Sequence, residues 1–147
     1  MKIETDKSVQ DKNATCDNAV LSSRLFRGFS IKHNNWIYGD LIHTPEKRMR
    51  IINYTDISSD GVDNFITINE MVESKSVGQC TGVFDRNADD IYEGDIVVFS
   101  ENSKIHIVKY INTGFVLTAS NGNIMVYNFN PNILKIIGNV FQNPELL

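Results

Sequence analysis

Lys104-Ile105-His106-Ile107-Val108-Lys109-Tyr110-Ile111, then Asn112-Thr113-Gly114, then Phe115-Val116-Leu117-Thr118-Ala119 is the stretch that decides the fold class. β-Branched and aromatic residues flank a short insert whose Asn and Gly tolerate positive φ, the pattern of a β-hairpin. In the first run Ile105, Ile107, Lys109 and Ile111 fall on one side, with His106, Val108 and Tyr110 on the other. The split is mostly apolar against mixed. Working outward, residues 96–100, 124–127 and 133–141 read as further strands, and Asn121-Gly122 supplies another tight turn. Short strands joined in this way suit a small closed barrel of the SH3-like type, with an open half-sandwich as the alternative.

Upstream, apolar stretches at 25–31, 36–42, 49–54 and 64–68 read as strands, with His33-Asn34-Asn35 as a turn. One turn of helix is expected around 69–75, too short to stand without packing. Residues 1–23 are polar and lack period, and they read as a flexible arm. The expected class is mainly β with little helix: an arm over 1–23, a small β unit over 24–80 and an SH3-like barrel over 81–147.

The chain has 147 residues, 41% apolar and 22% charged, which suits one compact domain or two very small ones. No apolar run approaches the ~18 residues of a membrane span. Net charge is −4, with three Lys and four acids in 1–23, seven basic and seven acidic residues in 24–80, and four against seven in 81–147. No segment is basic, which disfavours nonspecific binding to phosphates through the C-terminal half. Two cysteines, Cys16 and Cys80, are too few for a disulfide framework or a four-ligand zinc site. With acids at the N-terminus in place of a signal peptide's positive start, a cytoplasmic location and reduced thiols are expected.

Ile37-Tyr38-Gly39-Asp40-Leu41-Ile42 is echoed by Ile91-Tyr92-Glu93-Gly94-Asp95-Ile96-Val97. Both read as turns entering strands, with Gly39 and Gly94 taking the strained angle and Asp40 and Asp95 able to accept from nearby backbone N–H groups. Motifs for chemistry are weak. Asp85-Arg86-Asn87-Ala88-Asp89 begins like a calcium loop, but Asp90 and Ile96 stand where Gly and Glu are needed. His33, His43 and His106 lack metal spacing and read as surface or edge residues. Cys80 reads as a small buried hydrophobe rather than a nucleophile. No catalytic set, cofactor or metal is expected.

Arg24-Leu25-Phe26-Arg27-Gly28, Trp36-Ile37-Tyr38-Gly39-Asp40-Leu41, Val77-Gly78-Gln79-Cys80-Thr81-Gly82, the stretch from Asp85 to Val97, and the ending from Ile137 to Leu147 form a set of motifs. Together they resemble the YopX family of phage and prophage proteins. Cys80 stands where the family usually has an aromatic residue, and Ala88 where Gly is usual. The resemblance implies a mostly β fold with SH3-like character and a phage or prophage origin, and it carries no catalytic residues. A non-catalytic protein-binding or assembly module is therefore expected. The alternative is an accessory protein binding nucleic acid through Arg24, Arg27, Lys47, Arg48 and Arg50, and an enzyme comes last. Apolar positions on both faces of the second-half strands also suggest self-association.

Overall fold

A computed structural model describes residues 25–56, 65–99, 104–119, 122–125 and 133–147. The arm expected over 1–23 lies outside the described residues, as do Arg24, Cys16 and Asn121. The strands are β1 (Phe26–Ser30), β2 (Asn35–His43), β3 (Met49–Asp56), β4 (Phe65–Val72), β5 (Gly78–Phe84), β6 (Asp90–Tyr92), β7 (Asp95–Val98), β8 (His106–Ile111), β9 (Gly114–Ala119), β10 (Gly122–Met125) and β11 (Lys135–Asn139). Helix is confined to short 3-10 turns at Ser74–Ser76 and Pro144–Leu146 among the described residues. The helical turn expected from residue 69 is corrected: Asn69 to Val72 continue β4, because their backbone groups pair with Ile52 to Met49 of β3.

Two antiparallel sheets result, in the orders β4-β3-β2-β1-β5-β6 and β10-β9-β8-β7-β11. The first sheet curls. Glu73 N donates to Phe29 O (3.0 Å) and Phe29 N donates to the Ser76 hydroxyl (2.7 Å), which returns the end of β4 to β1. Ile37, Ile51 and Val72 are buried inside this curl, with Phe26, Leu41, Met49 and Val77 packed around them. In the second sheet Val97, Val108, Leu117 and Leu134 form a core that Ile91 of β6 and Val83 of β5 help to fill. Strands β5 and β6 thus hydrogen-bond with the first sheet while their apolar side chains pack against the second. The sequence division at 80/81 falls within β5. Among the described residues no ladder joins β10 to β11, so the second sheet keeps two ends where a closed barrel has none.

The decisive hairpin forms through Asn112, whose φ of 59° is the left-handed conformation that Asn tolerates. Its mixed side proves to be the inner one. Val108 lies opposite Leu117 and His106 opposite Val97, so these side chains face the core, while Ile105 is exposed. His106, expected at a surface or edge, is buried with its ring edge-on to Phe99 (centroids 5.1 Å).

Asp85 organises the loop that resembled a calcium site. Its carboxylate accepts from the backbone N–H of Asn87 (2.7 Å), Asp89 (3.1 Å) and Ile136 (3.1 Å), tying the loop to β11. Asp85 is buried, so the expectation of exposed acids there holds for Asp89 alone. Ala88 adopts φ 64° in this loop, where a Cβ costs about 1 kcal/mol relative to Gly. Ala88→Gly is expected to raise unfolding stability by about 0.5–1 kcal/mol, measured by urea titration.

Candidate functional site: an aromatic cleft between the sheets

Alternation along β1 sends Phe26 and Gly28 into the curl and Arg27 and Phe29 to the other face, towards the second sheet. Register places Arg27 opposite Tyr38 and Phe29 opposite Trp36. The Arg27 guanidinium lies 4.6 Å from the Trp36 ring centre and 4.9 Å from that of Tyr92, and it forms an ion pair with Asp95 on β7. Both partners are buried. Planar, delocalised and weakly hydrated, a guanidinium suits a site that combines stacking with carboxylate pairing.

Asp95 also accepts from Tyr92 N (2.8 Å), closing the tight turn between β6 and β7. Burial pushes its carboxyl above the ordinary value, outweighing Arg27 and the Tyr92 N–H. Gly94 in that turn has φ 87°; its N–H donates to Val108 O and its carbonyl accepts from Val140 N, each at 2.8 Å. This one turn therefore binds the first sheet, the second sheet and the C-terminal segment together.

Phe29, Trp36 and Phe141 pack as a trio, with centroid separations of 5.6, 5.5 and 6.2 Å. The Trp36 indole N–H donates to Gln142 Oε1 at 2.9 Å. Beside the trio lies a cleft of about 270 Å³, walled by Trp36, Phe141 and Val140, with Lys75, Lys109 and Glu93 among its polar residues. Lys75 and Lys109 are exposed, so they stand at its mouth.

The expected basic group does not assemble as one patch. Arg24 lies outside the described residues, and Arg27 is buried against Asp95. Lys47, Arg48 and Arg50 sit on the β2–β3 hairpin, where Arg48 donates to Met71 Sδ (3.7 Å) and Arg50 to Asn69 Oδ1 (2.8 Å). Gly39 and Asp40 are corrected from a turn to the interior of β2. There β2 changes neighbours from β1 to β3, and the Ile52 carbonyl comes so near that a Cβ on Gly39 would lie 2.1 Å from its oxygen. Cys80 is buried as expected. His33 is exposed and pairs with Glu70 (3.1 Å), and His43 is exposed.

The cleft and its Arg27 sandwich were not legible as a unit. Arg27 and Asp95 are 68 residues apart. The signal present in the sequence was aromatic density in the motifs around Arg27, Trp36 and Tyr92.

Two antiparallel sheets, joined through an ion-paired and aromatic junction, define a small all-β protein with a cleft between them. The chain belongs to the YopX family, whose model, described as YopX protein, matches residues 25–147. The fold is similar to the crystal structure of protein EF1440 from Enterococcus faecalis. That likeness has a TM-score of 0.54 at 19% identity over 86% of this chain and 99% of the other. No curated protein matches the chain. Among the described residues no helix is long and apolar enough to cross a membrane.

Proposed function

We propose that this YopX-family protein is a non-catalytic protein-binding or assembly module of phage or prophage origin, working in the cytoplasm of a bacterial host. The observation that carries the reading is the cleft between the sheets. Its volume of about 270 Å³ falls below the ~300–1,000 Å³ of cofactor and drug-sized pockets, and suits one or two side chains of a peptide. Aromatic walls beside charged rims are the composition that protein interfaces favour. The Arg27–Asp95 pair, whose arginine lines the cleft, is committed to joining the sheets. SH3-like character of residues 81–147, without closure of the sheet, belongs to the same proposal, supported by the β7-β8-β9-β10 meander.

A pull-down from phage-infected cells tests this. The wild-type protein is expected to retain a protein partner after nuclease treatment, and Lys109→Trp, which crowds the mouth from an exposed strand position, is expected to lose it. Equal capture by both proteins counts against the cleft.

The second reading, nucleic-acid binding, is favoured by the placement of Lys47, Arg48 and Arg50 on one hairpin. A gel shift at low salt that disappears in Arg48→Ala plus Arg50→Ala supports it. The binding-module reading predicts no shift. Self-association is a further part of the proposal, motivated by the exposed side chains of Ile105, Tyr110 and Ile133. Light scattering that returns a monomer at micromolar concentration removes it.

A further inference from the structure

Lys75 and Lys109 give the cleft a charge opposite to that of the chain as a whole. Lys75 belongs to the 3-10 turn Ser74–Ser76, which is pinned to β1 by the Phe29 N–H on Ser76 Oγ and braced by that hydroxyl's own bond to Glu73 O (2.6 Å). Lys109 projects from β8, whose register is fixed on β9 opposite Val116. Two cations are thus held on rigid elements at the mouth. Among the described residues neither takes part in a salt bridge, although the chain carries 18 acidic residues. Glu93 is the acid lining the cleft, and its Oε1 accepts from Tyr110 N (3.3 Å). Arg27 also lines the cleft, with its charge balanced by Asp95.

We infer that the cleft takes an acidic peptide segment of a protein partner, with carboxylates between Lys75 and Lys109 and an apolar side chain against Trp36 and Phe141. This inference rests on the binding-module reading and gives it a ligand class. Charge complementarity selects the occupant. A protein of net charge −4 with lysines at a cleft mouth attracts acids there and repels them elsewhere. A basic segment would set its own charges against Lys75 and Lys109, and a wholly apolar one would desolvate both lysines without compensation.

Trp36 is the sole tryptophan, so its fluorescence reports on the cleft directly. The full chain is titrated with three capped pentapeptides, Glu-Phe-Glu-Leu-Glu, its Gln analogue and its Lys analogue. The expected result is a saturable Trp36 response to the Glu peptide that weakens as salt rises, with at least tenfold weaker responses to the other two. Lys75→Glu plus Lys109→Glu, at exposed positions and checked for unchanged thermal melting, is expected to weaken the Glu peptide at least tenfold. Any of three results overturns the inference: no saturation by the Glu peptide up to millimolar concentration, equal responses to all three, or an unaffected double variant. Capture of a partner from infected cells separates the two levels of the account. If the double variant still captures the partner, the acidic occupant falls while the binding-module reading stands, and if the wild type captures none, that reading falls as well.

Discussion

Arg27→Ala is expected to lower unfolding stability at neutral pH by about 3–5 kcal/mol, among the largest effects available to a single substitution here. The change leaves the Asp95 carboxylate buried, with Tyr92 N–H as its remaining partner, and empties the space between the Trp36 and Tyr92 rings. The loss is larger than that of a surface ion pair because neither partner is exposed to water. It also carries a pH signature. Asp95 already lies above the ordinary carboxylate value of 3.8, and removal of Arg27 raises it further. A folded-state pKa above the unfolded one gives a contribution that is full at low pH and lost as pH rises through the folded value. The deficit of Arg27→Ala is therefore widest at neutral pH and narrows as the buffer approaches the ordinary carboxylate range. Urea titrations at about pH 7 and about pH 4.5 read both quantities. Arg27→Met combined with Asp95→Asn keeps an acceptor for Tyr92 N and removes both charges. The pair is expected to cost less than Arg27→Ala alone.

Gly39→Ala is the second large effect, at about 3 kcal/mol or more. The added Cβ would lie 2.1 Å from the Ile52 carbonyl oxygen and 2.7 Å from its carbon, and backbone atoms in a paired strand cannot step aside as a side-chain tip can. Gly114→Ala is the matched control. It also lies in a strand, yet a Cβ there meets nothing within 4 Å, so a change within about 0.5 kcal/mol is expected. Equal losses for the two variants would show that Gly39 matters for strand propensity rather than for the close approach of β3.

These two positions also show what the sequence could and could not disclose. The hairpin around Asn112 was legible because turn chemistry and strand composition agree locally. The side of β8 that faces inward was not, because burial of His106 depends on Val97 and Phe99 from another strand. Gly39 resembles Gly94 in its sequence neighbours, yet the two glycines answer different demands, a near carbonyl in one case and φ of 87° in the other. Strands β5 and β6 carry a weak sequence signal, since β5 begins with Gly78 and contains Gly82, and β6 has three residues. Asp85 looked like an incomplete calcium ligand because three residues of a loop cannot show that its carboxylate already serves backbone donors, one of them on Ile136. Family motifs pointed to the right segments. Their shared purpose emerges in three dimensions, where Arg27, Trp36, Tyr92 and Asp95 meet between the sheets.

The cleft is the proposed contact surface, and hydrogen exchange on the complex captured from infected cells tests that most directly. Slowed exchange on partner binding is expected at residues 75–77, 93–94, 107–109 and 139–141, which line the cleft. Protection confined to residues 42–50, on the β2–β3 hairpin that carries Lys47, Arg48 and Arg50, would contradict it.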